Sequence, residues 1–480
     1  MLDPDPRPDQ RDGVTPSAVA EGHDRRPRRC RTRRSAPTPT LNDEEKVMLR
    51  ARKPLVAALV ALPLALAGCA GGGGSGGDSD DKTLTIWHYE SDESAMGQAW
   101  ARAIEIFEDE NPDVEVVVEK QTFEQIQKNA KIVLTGDDVP DVMEYNKGNA
   151  TAGQLASQGL LTPLTDAAKE RGWDTTLSGS LQTTATYDEN GLMGSGDWYG
   201  VPNYGEFVGV YYNKDMFAQH GLEIPTTLAE LETAMATFQA AGITPLAEAG
   251  AEYPLGQLWY ELVLANADQE FVDSYQLFDG DVDFQGPEMT QATETLADWI
   301  DKGYIASDSA ALTAEDMGVS FINGTYPMMV SGSWWFGRIV EEMDADWGQF
   351  NFPGNTLQVG SSGNLWVVPT NADSKSLAEE FIDITLRPEV QNILGEAGGL
   401  PVAGDVSAIT DERTQALTQN FNDILAADGL AFYPDWPVAG YYDVLVSQLQ
   451  SLVNKSKTPA EVLDGLSGPY EEGKADLLED

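Results

Sequence analysis

Between Thr83 and Tyr145 the apolar periodicity switches four times, and this alternation limits the fold more than any other feature of the chain. Thr83 to Trp87 (TLTIW) alternates and is β-prone, which predicts a strand. Met96, Trp100, Ile104 and Phe107 then recur at helical spacing until Asn111-Pro112 stops the helix. Val114, Val116 and Val118 alternate again. Phe123, Ile126, Ala130, Val133 and Leu134 return to helical spacing, and Asp141 to Tyr145 reads as a short third strand. Strand, helix, strand, helix, strand predicts a parallel sheet, because parallel neighbours need a crossover long enough to hold a helix. Ligands of open sheets bind beyond the carboxyl ends of the strands, here Trp87 to Glu90, Glu119 to Phe123 and Tyr145 to Lys147.

The alternation resumes later, with strand-like Phe207 to Tyr212 and helical Thr227 to Ala241, Gln257 to Leu264 and Met289 to Lys302. A second α/β lobe is the natural reading, and 480 residues fit two or three domains at roughly 150 each. Strand-like Tyr326 to Val330 and Leu365 to Val368, with helical Ser376 to Leu386, predict a return to the first sheet before the chain finishes in the second lobe.

From Cys69 onward the chain carries 17 basic and 69 acidic side chains. Such a surface repels phosphate backbones and anionic headgroups, so no nucleic-acid partner is expected. Cys30 and Cys69 are the only cysteines and lie outside the globular part, so no disulfide framework or Cys-based metal site supports the fold. Before Cys69, Arg-Ala-Arg-Lys leads into an apolar run of 13 residues, Leu55 to Ala67. That is short of the roughly 20 residues that span a bilayer, and it fits a signal-peptide core. Leu66-Ala-Gly-Cys69 resembles a bacterial lipobox, which implies cleavage before Cys69 and a lipid on its thiol. Residues 48–68 are therefore expected to be a lipoprotein signal peptide and 69–82 a Gly/Ser tether. Residues 1–47 are either a disordered cytoplasmic extension or lie ahead of a true start at Met48.

Catalytic and metal motifs fail on inspection. The one Gly-x-Ser-x-Gly string, Gly73 to Gly77, lies in the tether, where no strand-turn-helix can form. Asp279-Gly-Asp-Val-Asp283 begins like a calcium loop, but Phe284 and Thr290 stand where Gly and Glu are needed. No metal and no cofactor are expected. What remains are aromatics beside amides and carboxylates at loop positions: Trp87-His88-Tyr89-Glu90, Tyr145-Asn146, Tyr204 with Glu206, Trp259-Tyr260, Trp334-Trp335, and Tyr433-Pro-Asp435-Trp436. Sugars present apolar CH faces that stack on rings and hydroxyls that bond to amides and carboxylates, so a neutral polyhydroxylated ligand fits. Each ring taken singly is as well explained as core.

In order and spacing, several segments resemble the bacterial extracellular solute-binding proteins of ABC importers, of the maltose and oligosaccharide-binding type. They are Thr85-Ile-Trp-His88, Phe107-Glu-Asp-Glu-Asn-Pro112, Val139-Pro-Asp-Val142, Gly159-Leu-Leu-Thr-Pro-Leu164, Gly200-Val-Pro202, Val210-Tyr-Tyr-Asn-Lys-Asp215, Ser331-Gly-Ser-Trp334 and Gly360 to Pro369. The resemblance implies an α/β fold of two periplasmic-binding-protein-like (type II) lobes joined by a hinge. The first lobe would hold 83–203 and 326–362, and the second 204–325 and 363–480. Carried over by position, Trp87, His88, Glu90, Asp141, Asn146, Tyr204, Glu206, Trp334, Trp335, Gly363 and Asn364 would line the cleft. Trp259, Tyr433, Asp435 and Trp436 would face them. A monomer tied to the membrane only through its lipid would bind a carbohydrate, an oligosaccharide of two to four units, and hand it to an ABC permease. Two alternatives stay open. One is a secreted glycoside hydrolase, which would need two carboxyl groups roughly 5 to 10 Å apart, with Glu90, Asp141 and Glu206 as formal candidates. The other is a receptor for a cation such as a polyamine.

Overall fold

The computed structural model describes residues 83–136, 139–177 and 179–478. The expected extension, signal peptide and tether, and Cys69 with them, lie outside the described residues. The predicted β-α-β-α-β unit forms: strands Thr83–His88, Glu115–Lys120 and Val142–Tyr145 alternate with helices Ala95–Glu110 and Phe123–Leu134. The three strands are parallel, with Thr83–His88 in the middle. Ser94 caps the first helix by accepting the Gly97 amide at 2.9 Å, and a Thr122/Gln125 capping box opens the second. Gly97 is required there, because a Cβ would lie 1.8 Å from the Ser91 carbonyl. The helix Ala95–Glu110 turns Trp100, Ala103 and Phe107 inward, and Trp100 meets Trp366 edge-on at 5.6 Å.

Leu365–Val367 adds antiparallel to Val142–Tyr145, and Val201–Pro202 closes that sheet. A second sheet runs in the order Trp347–Phe350, Gly205–Asn213, Met328–Gly332, Leu246–Ala247, and Gly360–Ser362 also pairs with Gly205–Asn213. Every residue of Gly205–Asn213 is buried, which is why Phe207 to Tyr212 reads as a continuous apolar run and not an alternation.

This hydrogen bonding corrects the expected division into lobes. Residues 326–362 were assigned to the first lobe, yet Met328–Gly332 and Gly360–Ser362 pair within the second sheet. Residues 363–480 were assigned whole to the second lobe, yet Leu365–Val367 lies in the first sheet, and helices Lys375–Thr385 and Pro388–Glu396 pack on Ala95–Glu110. Only the later helices, Tyr441–Val453 and Pro459–Leu478, pack on second-lobe helices Pro254–Leu264 and Pro287–Lys302. One crossing, from the first sheet to the second, follows residue 203, and another, from the second sheet back to the first and so opposite to the direction expected there, follows residue 362. They lie side by side: the Gly363 amide donates to the Tyr204 carbonyl at 2.6 Å.

Candidate functional site

A cavity of about 360 Å³ opens beside the two crossings. The first lobe supplies Glu90, Asn146 and Lys147 from the loops after its central and third strands, as expected for the carboxyl ends of a parallel sheet. Tyr89 stands edge-on to Phe123, the first residue of the second helix, at 5.4 Å, and both line the wall. Tyr204, Glu206 and Asn364 come from the crossings, and Trp334, Tyr433, Asp435 and Trp436 complete the expected set.

The loop carrying Tyr433 and Trp436 is fixed from both lobes. Gln276 Nε2 donates to the Tyr433 carbonyl at 2.8 Å and the Tyr275 hydroxyl to the Pro434 carbonyl at 2.7 Å. From the first lobe, Asn149 Nδ2 donates to the carbonyls of Gln276 and Pro437 at 3.0 and 3.1 Å. Gly148, at φ 102°, lets the loop approach, since a Cβ there would sit 2.7 Å from the Trp436 ring. The rings form a chain: Tyr253 meets Trp334 at 5.8 Å, Trp334 meets Tyr433 at 6.5 Å and Tyr433 meets Trp436 at 5.1 Å.

At the floor, Lys147 Nζ donates to Glu206 Oε1 at 2.5 Å and to Asn364 Oδ1 at 3.1 Å, and stands 5.4 and 5.2 Å from the centroids of Tyr433 and Trp436. Asn364 Nδ2 donates to the Tyr204 hydroxyl at 3.2 Å. Burial lowers the lysine's affinity for its proton and raises that of Glu206, and the ion pair opposes both effects. Burial also pushes Glu90 up to about 7 and Asp435 up to about 6. Near Glu90, the carboxyl group of Glu144 is buried and makes no ion pair among the described residues, and burial raises its pKa.

Six expected residues are placed elsewhere. Trp87 is half-buried and packs on the core. His88 is buried, its Nδ1 accepting the Glu90 amide at 3.2 Å, and burial lowers it to about 4, so the imidazole is neutral. Asp141 is a structural clamp whose carboxylate accepts the Thr85 and Ser374 amides, both at 2.8 Å. Trp259 is core, its indole N–H bonded to Thr293 Oγ1 at 2.9 Å. Trp335 turns away from its neighbour and packs on Gly318, where a Cβ would lie 2.0 Å from the ring. Gly363 contributes by being small, since a Cβ would lie 2.3 Å from the Tyr204 ring.

Sequence reasoning missed Tyr253 and Gln257, which project from one face of the first turn of Pro254–Leu264, and Tyr442, in the first turn of Tyr441–Val453. Their spacing is that of core positions; only the helix-opening Tyr253-Pro254 hinted at a loop-to-helix junction. Tyr89 stands between chosen neighbours, Met96 reads as the apolar face of the first helix, and Glu315, at the rim, is held by Arg338 at 2.7 Å. Among the described residues no group of His, Cys, Asp and Glu is placed to hold a metal ion, and no helix is long and apolar enough to cross a membrane.

A family model described as bacterial extracellular solute-binding protein matches residues 102–422. The multiple sugar-binding protein of Streptococcus mutans is 24% identical over 380 residues, which cover 75% of this chain and 84% of that one. A probable sugar-binding periplasmic protein of Mesorhizobium japonicum is 23% identical over 53% of this chain, and the match spans only 61% of that relative's length. Among solved structures, a chitin oligosaccharide binding protein superimposes with a TM-score of 0.71 at 23% identity, covering 83% of this chain and all of that one. The GacH receptor of Streptomyces glaucescens superimposes at 0.67 with 22% identity, covering 83% of this chain and 99% of that one. These likenesses establish the two-lobed periplasmic-binding-protein fold, and the relatives are binding proteins and not hydrolases. The chain belongs to the bacterial extracellular solute-binding protein family.

Proposed function

We propose that the protein is a receptor that captures an oligosaccharide free of acidic groups outside the cell and delivers it to the permease of an ABC importer. The observation that carries this reading is the cavity itself. A chain of four aromatic rings from the second lobe faces amides and carboxylates from the first lobe and the crossings, the pairing of stacking faces and hydrogen-bonding groups that a sugar needs. Among the described residues the only ammonium lining the cavity, Lys147, is engaged by Glu206, which leaves no clamp there for an anionic sugar. A sugar touching both walls favours the closed arrangement by its differential affinity for it, and the permease would read that shape. The sugar-binding names of the relatives support the ligand class.

The receptor would be held at the membrane by lipid on Cys69, at the end of the 69–82 tether, and would act as a monomer. Two measurements test the proposal. Calorimetry of the full-length chain in detergent against oligosaccharides should show saturable binding with the sugar recovered intact; a cleaved sugar, or no binding by any of them, would count against it. Cys69→Ser should move the protein from the membrane fraction to the medium, and unchanged membrane retention would remove the lipid anchor from the account.

A further inference from the structure

The charges lining the cavity do not balance. Of its four carboxylates, Glu206 is answered by Lys147 and Glu315 by Arg338. Glu90 and Asp435 make no ion pair among the described residues: Glu90 accepts one hydrogen bond, from Ser94 Oγ at 2.9 Å, and the nearby Lys120 pairs with Asp92. Leaving an ionised carboxylate buried without a counter-charge costs several kcal/mol.

The hydrogen-bonding capacity left over is of the same kind. Gln257 lines the cavity at 4% exposure, and its Oε1 has no donor. The Tyr433 hydroxyl is directed at the Glu206 carboxylate and so offers no free donor. The Asn364 amide is already spent on Tyr204, and the Lys147 ammonium on Glu206 and Asn364. What the cavity lacks is donors and positive charge. Its aromatic wall tolerates a cation, because Tyr433 and Trp436 already face the Lys147 ammonium.

Resting on the carbohydrate reading above, we propose that the sugar carries a protonated amine, an amino sugar, for which Glu90 and Asp435 are the counter-charges and Gln257 Oε1 a further acceptor. An ammonium brings three donors and the missing charge together, and charge-assisted bonds to it exceed those a hydroxyl makes.

Titration calorimetry of the full-length protein near neutral pH tests this with glucose, N-acetylglucosamine and glucosamine oligomers of matched linkage and length, with spermidine alongside. The expected result is that the tightest ligand is an amine-bearing oligomer, bound at least about tenfold more tightly than its N-acetylated counterpart. Glu90→Gln with Asp435→Asn should erase that preference, bringing the amine-bearing oligomer to or below the affinity of its N-acetylated counterpart. A neutral oligomer as the tightest ligand, or a preference untouched by the double variant, overturns the amino-sugar inference and leaves the carbohydrate receptor standing. Binding of spermidine alone, or of nothing in the panel, overturns the carbohydrate reading and this inference with it.

Discussion

Lys147 Nζ lies 2.5 Å from Glu206 Oε1, joining the loop after the first lobe's third strand to the strand that opens the second sheet. Both groups are almost wholly buried, so neither can fall back on water when the other is removed.

Lys147→Met should therefore leave Glu206 buried and unpaired and cost about 3 to 5 kcal/mol of stability. Chemical denaturation checks the value. Adding Glu206→Gln should recover much of the loss, and a double variant no more stable than the single one would mean that the pair is not the source.

Trp334 and Trp259 separate cavity from core. Trp334→Ala should weaken sugar binding about tenfold or more, as loss of a stacking ring does, with little change in melting temperature. Trp259→Ala should cost about 3 to 5 kcal/mol of stability and leave the dissociation constant nearly unchanged. Calorimetry paired with thermal melts reads both.

Asp141→Ala deprives the Thr85 and Ser374 amides of their acceptor. With one to three kcal/mol for each buried donor left unmade, the loss should be about 2 to 6 kcal/mol. Affinity should hold in whatever fraction stays folded, and a selective loss of binding would return Asp141 to the cavity.

Glu248 gives a pH dependence. Burial pushes its carboxyl from 4.5 up to about 8, and its Oε2 has no partner. The folded state holds this proton more tightly than the unfolded one, so the contribution is complete below pH 4.5 and is lost as pH rises to about 8. Glu248→Gln should match the parent at acid pH and become progressively more stable than it towards pH 8. Denaturation curves across that range check the sign, and parallel pH profiles would refute it.

Local periodicity was enough for the β-α-β-α-β unit, because each element keeps one face on the core and repeats at 2 or 3.6 residues. It could not say which sheet Tyr326 to Val330 would join: Met328–Gly332 is buried at every position, so no polar face marks its surroundings, and its partners Gly205–Asn213 and Leu246–Ala247 are distant in the chain. The cavity was readable where aromatics stand beside acids and amides at strand ends, as at Glu90, Asn146, Tyr433 and Trp436. Tyr253 and Gln257 were not, because only tertiary packing distinguishes a helix's first turn at a cavity from one in the core. Asp141 failed for the opposite reason, since a carboxylate at a strand end serves equally well as a backbone clamp.

Tyr204 and Gly363 belong at once to two of the segments that connect the lobes and, through Tyr204 and the adjacent Asn364, to the cavity floor. The receptor thus has no separate transmission between recognition and movement: whatever rests on the floor bears directly on the joint. Under the proposed function, specificity and the ease of closing would be set by the same few atoms, so a change of preferred sugar made here would also reset how readily the empty receptor shuts.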